Sequence, residues 1–191
     1  MAVHQPGVFT YNATTADYSF NGVLYRHIPA YSDEPLTARF SSVGGRWNQP
    51  NSYLLFHTYS SVQTAQLALT NQANAVPFDW EAVNPEYQKD LLVLQLTVNH
   101  LADLATNGGL QNYGLPIEYP IGFEDEGAWT TTRPIGQRVF SSTAAGLVTR
   151  SASVSQWTSP MVDWAEVVLF PDRSDPPLLL ERIPFRDWYY G

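Results

Sequence analysis

The stretch Gly44 to Ala68, "GGRWNQPNSYLLFHTYSSVQTAQLA", decides how the chain reads. A glycine pair opens it, Arg46 follows directly, and the run Tyr53 to Thr58, "YLLFHT", predicts a strand entering a core. Ser60 and Ser61 can then cap a helix whose apolar residues Val62, Ala65 and Leu69 recur at helical spacing. A helix over 62–72, packed on that strand, is the expectation.

Upstream, "VLYRHI" from Val23 to Ile28 follows an Asn-Gly turn, alternates as a strand should, and carries Arg26 inside it. A guanidinium at the edge of a core is costly unless an anion or a carboxylate meets it. Two arginines converging from adjacent strands, beside a Gly-Gly turn that allows close backbone approach, could hold a pyrophosphate. They could equally pair with internal acids such as Asp33 or Glu34. On the residues alone both readings stand, with Trp47 as core and Asn48 as a turn residue.

Downstream, "DLLVLQLTVN" predicts a central strand over Leu91 to Val98. The connection from His100 to Trp129 is rich in turn residues and reads as a functional loop or a set of small elements. "TTTRPIGQRVFSSTAA" offers threonine caps before a helix that has its proline in an early turn. Short strands follow around Leu147 to Thr149, near Ala165 to Phe170, and in "PLLLERIPF". Strands and helices mix without a βαβ rhythm, so the expected fold is α+β, a mixed sheet with flanking helices. With 191 residues and neither a linker nor a repeat, one domain over 1–191 is expected.

Composition narrows the function. Hydrophobic residues make up 44% and charged residues 15%, a globular balance. A net charge of −8 leaves no basic face for direct nucleic-acid binding. Lys89 is the only lysine, so nearly all the cations are guanidinium groups, suited to gripping phosphate or carboxylate. There is no cysteine, and no run approaches membrane-spanning length or resembles a signal peptide, which points to a cytoplasmic protein. His4, His27, His57 and His100 lack metal-ligand spacing, so no metal is expected. His57 reads as a partly buried, hydrogen-bonded histidine. Phosphate-binding loops, dinucleotide fingerprints and serine-hydrolase elbows are all missing.

"LYRHIP", "GGRWNQPNSYLLFHTYSSVQTAQLA", "WTTTRPIGQRVFSSTAAGLVTRSA" and "AEVVLF" stand in the order and at roughly the spacing of the RES domain family. The resemblance runs from about Leu24 to Phe170. That family is named for its arginine, glutamate and serine and contains the toxins of Xre/RES toxin-antitoxin modules. What the resemblance implies is a compact fold similar to ADP-ribosyltransferases and a cleft that takes NAD as substrate. The nicotinamide–ribose bond would be cleaved with water or phosphate as acceptor, causing growth arrest. An Xre-type antitoxin, often in a larger hetero-oligomer, would be the partner.

Carried over by position, Arg26 and Arg46 would clamp the phosphates, with Asn48 of the same motif beside them. Phe56 would stack on nicotinamide where the family usually has tyrosine, and Ser151 would orient the ribose or the amide. The family glutamate, in a helix segment of the form T-A-x-x-E, falls on Ala68 of "TAQLA". Gln66 could hold the ribose without supplying charge, or a carboxylate among Glu118, Glu124, Asp125 and Glu126 could fold over the cleft. Two other outcomes share the same cleft: transfer of ADP-ribose to a protein, and NAD binding without turnover.

Overall fold

The structure is a computed structural model that describes residues 4–38, 44–73, 88–121, 127–154, 156–157 and 161–189. Its spine is a long antiparallel ladder. Strand β2 (Asp17–Pro29) pairs along its whole length with β4 (Lys89–Leu104), from Asp17 against Ala102 to Pro29 against Lys89. Both strands outrun the sequence expectations: the polar start of β2 still pairs with β4, and the end of β4, Leu101 to Leu104, pairs with β5 (Gly146–Arg150).

The run "LLVL" in β4 is apolar throughout because both faces of the strand are covered. Leu92 and Leu94 enter one core cluster with Phe20, Leu24 and Phe56. Leu91 and Val93 enter another, beneath α1 (Val62–Ala73) and the C-terminal α4 (Phe185–Tyr189). β4 is central as expected, with β2, β5 (Gly146–Arg150) and β7 (Leu178–Ile183) all paired to it.

The β4–β5 pairing is parallel, and the other named pairings are antiparallel. β5 pairs with β6 (Ala165–Leu169), β6 with β3 (Phe56–Tyr59), and β3 touches β2 at Tyr59 against Tyr25. The pairings therefore close a circuit through β2, β3, β6, β5 and β4. β1 (Val8–Asn12) and β7 lie outside it, completing a seven-stranded mixed sheet within one α+β domain.

Helix α1 starts where the serines predicted: the Ser61 hydroxyl oxygen accepts the Thr64 N–H at 3.0 Å. The described residues of the long connection form the end of β4, a short α2 (Asn107–Asn112) capped by Thr106, and turns. Helix α3 (Trp129–Phe140) begins before the threonines, at an Ala128 that makes no side-chain cap. The expected threonine cap is therefore replaced: the Thr132 hydroxyl donates to the Arg46 carbonyl at 2.6 Å, bonding the helix to the loop that carries Arg46. Pro134 consequently lies in the second turn, deeper than the sequence suggested, and forgoes one ladder bond. Among the described residues no helix is long and apolar enough to cross a membrane.

Candidate functional site

Arg46 is presented by a loop built to hold it. Gly44 has φ +73°, in the left-handed region, and a Cβ there would lie 2.5 Å from the Asn48 carbonyl oxygen. The Gly45 N–H donates to that same carbonyl at 3.0 Å, closing the turn. From α3, Arg133 Nε donates to the Gly45 carbonyl at 3.1 Å, next to the Thr132 bond to Arg46. The two motifs "GGRWN" and "TTTRPIG" are thus two halves of one joint.

The Arg46 guanidinium donates to the Tyr119 hydroxyl at 3.3 Å and lies 3.9 Å from a Glu166 carboxylate oxygen. Tyr119 is itself anchored. Arg150, buried at the end of β5, donates to the carbonyls of Tyr119 at 3.2 Å and Ala105 at 2.8 Å, and to the Asn107 side chain at 2.6 Å. Arg150 therefore anchors, from the core, the segment that carries Tyr119, the partner of Arg46.

Glu166 is the acid that sequence reasoning missed. It lies on β6 and is 8% exposed, framed in register by Tyr59 of β3 and Thr149 of β5. His57 Nδ1 donates to one of its oxygens at 2.8 Å, since an ionised carboxylate can only accept. Burial alone would raise this carboxyl, but the His57 hydrogen bond and the Arg46 charge outweigh it and hold the group below the usual range. It is ionised at neutral pH. Reciprocally, burial opposes the charge of Arg46, and Tyr119 and Glu166 together overcome it, so the guanidinium is held above its ordinary pKa.

Arg26, His27, Arg46, Ala68, Ser151 and Glu166 all line one cavity of about 610 Å³, together with His57, Tyr59 and Trp129. The size suits a drug-sized or nucleotide-sized ligand. Burial, reinforced by Lys89 and Arg26, pushes His27 down to about 4, so its ring is neutral at pH 7 and meets the Tyr59 hydroxyl at 3.3 Å. Ser151 is 1% exposed, and its hydroxyl accepts the Ser153 N–H at 3.3 Å. Two cations, one carboxylate, a hydroxyl and aromatic rings in one concavity can receive a ligand that is anionic at its centre and cationic at one end.

Three expected site residues do not line this cavity. Phe56 is 3% exposed and lies beneath Arg26, whose guanidinium carbon is 4.0 Å from the ring centroid. Its face supports the arginine and cannot stack on a ligand; the aromatic surface of the cavity comes from Tyr59 and Trp129. Asn48 is buried and its amide donates to the Tyr53 carbonyl at 3.3 Å, holding the turn. Gln66 points to the end of α4, where its amide donates to the Tyr189 carbonyl at 2.6 Å.

Among the proposed substitute acids, Glu118 is exposed and does not line the cavity, and Glu124, Asp125 and Glu126 lie outside the described residues. Among the described residues, no group of three or more His, Cys, Asp or Glu could hold a metal ion.

One signal in the sequence could have exposed Glu166. "AEVVL" is a strand in which all five residues are buried and four are apolar, and a lone charge in such a run needs a reason.

No family model matches the chain, and no curated protein matches it by sequence. Among solved structures, the chain is similar to the toxin of the crystal structure of the M. tuberculosis MbcT-MbcA toxin-antitoxin complex. The TM-score is 0.66 at 17% sequence identity, covering 90% of each chain. At that identity the likeness is one of fold, and it extends over nearly the whole molecule.

Proposed function

We propose that this chain is an NAD-consuming toxin of RES type, cleaving the nicotinamide–ribose bond with water or phosphate as acceptor and held in check by an antitoxin partner. The observation that carries the reading is the convergence of Arg26, Arg46 and Ser151, from three distant parts of the sequence, on one cavity. The likeness in fold to a toxin of a toxin-antitoxin complex supports the biological role.

In this reading Arg26 and Arg46 bind the pyrophosphate, each guanidinium offering paired N–H donors to its oxygens. The positive nicotinamide end lies toward the carboxylate side of the cavity, against Tyr59 and Trp129. The C1′–nitrogen bond breaks, its electron pair leaves with nicotinamide and quenches the ring charge, and oxygen of water or phosphate bonds to C1′. With water the proton goes to solvent. Ser151 orients the ribose or the carboxamide.

A second reading, NAD binding without turnover, draws on Ala68, which lines the same cavity at the position where the resemblance calls for glutamate. Calorimetric titration with NAD tests the binding shared by both. Wild type should bind, and Arg46→Ala should weaken binding at least tenfold; equal affinity in the variant would mean the phosphates lie elsewhere. Induced expression in cells should arrest growth if turnover accompanies binding.

A further inference from the structure

We infer that Glu166 on β6 is the catalytic carboxylate of this cavity, supplying from the strand the negative charge that Ala68 on α1 leaves unsupplied. The inference rests on the NAD-cleaving reading. It starts from placement: Ala68 and Glu166 line the same cavity from different elements, and among the described residues Glu166 is the one acid that does so.

The neighbours fix Glu166 rather than neutralise it. His57 holds one carboxylate oxygen at 2.8 Å, and Arg46 stands 3.9 Å from the other, beyond a tight bidentate pair. The second oxygen keeps capacity to accept from a ribose hydroxyl. A buried carboxylate is also a poor choice for stability alone, because an apolar residue in β6 would fill the space without a desolvation cost. Its neighbours Ala165, Val167, Val168 and Leu169 show that the strand otherwise takes this option.

As the C1′–nitrogen bond lengthens, positive charge builds on the ribose while nicotinamide becomes neutral. A fixed anion beside that ribose favours the transition state over the bound substrate. Glu166 stays ionised throughout and exchanges no proton. Arg46 then does two things: it holds the phosphates and keeps the neighbouring carboxylate charged.

Glu166→Gln, which keeps the shape, should lower turnover of saturating NAD about a hundredfold or more, while ADP-ribose affinity stays within about threefold. Adding Ala68→Glu to that variant should recover at least tenfold, since it returns a carboxylate to the same cavity from α1. Should Glu166→Gln fail to fold in thermal unfolding, Glu166→Asp keeps the charge for His57 and Arg46 but shortens its reach, and turnover should still fall tenfold or more. A wild type that consumes NAD with Glu166→Gln, or a folded Glu166→Asp, within threefold of it overturns this inference alone. A wild type inert toward NAD overturns the functional reading, and this inference with it.

Discussion

Gly136 sets how closely α3 approaches the loop of Arg46, because a Cβ at this position would lie 1.8 Å from the Trp47 carbonyl oxygen. That atom belongs to the backbone and cannot swing aside, so Gly136→Ala should cost about 1–3 kcal/mol as an overpacked contact. Thermal unfolding would show it, and NAD affinity should fall with it because Arg46 moves. Gln66 gives the opposite expectation. Its amide ties α1 to the C-terminal Tyr189, so Gln66→Ala should cost about 1 kcal/mol in chemical denaturation and leave NAD turnover within twofold. A hundredfold loss of turnover would return Gln66 to the site.

The elements were largely legible in the sequence, and the illegible parts have physical reasons. The "LLVL" run and the Ser61 cap report local physics that the fold keeps, and "VLYRHI" is a strand as read, though with Val23 and Leu24 both buried its burial does not alternate. The start of α3 did not read correctly, because its threonines resemble caps while Thr132 is used to bond the Arg46 loop across the fold. Phe56 looked like a stacking face because its position in sequence says nothing of Arg26 lying over it. Glu166 stayed hidden since its partners, His57 and Arg46, come from other elements, and only the closed strand circuit brings β3, β5 and β6 side by side. The same element view predicts the effect of Arg150. Truncating it to alanine removes the donor to the buried Ala105 carbonyl just past the end of β4 and the tie to the Tyr119 carbonyl, at about 1–3 kcal/mol for a buried acceptor that loses its donor. Arg150→Ala should therefore unfold at markedly lower denaturant concentration than wild type.

Across the whole molecule, the cavity makes stability depend on acid. His27 is held at about 4 against an ordinary 6.5, so the unfolded chain binds a proton that the folded chain refuses, and its contribution fades as pH falls between those values. Glu166 is held below its ordinary 4.5, so its contribution is complete above that value and is lost as pH falls through the lower folded value. Melting temperature should therefore decline from about pH 6.5 downward, and His27→Gln should flatten the upper part of that decline. The cavity holds two guanidinium groups and a fixed carboxylate, and the proposed function turns on whether a protein with such a cavity breaks the nicotinamide–ribose bond of NAD. The direct measurement is incubation of the purified protein with NAD, with and without inorganic phosphate, followed by mass spectrometry of the products. Free nicotinamide together with ADP-ribose or its 1″-phosphate is the expected result; intact NAD after hours with an excess of folded protein would overturn the NAD-cleaving reading.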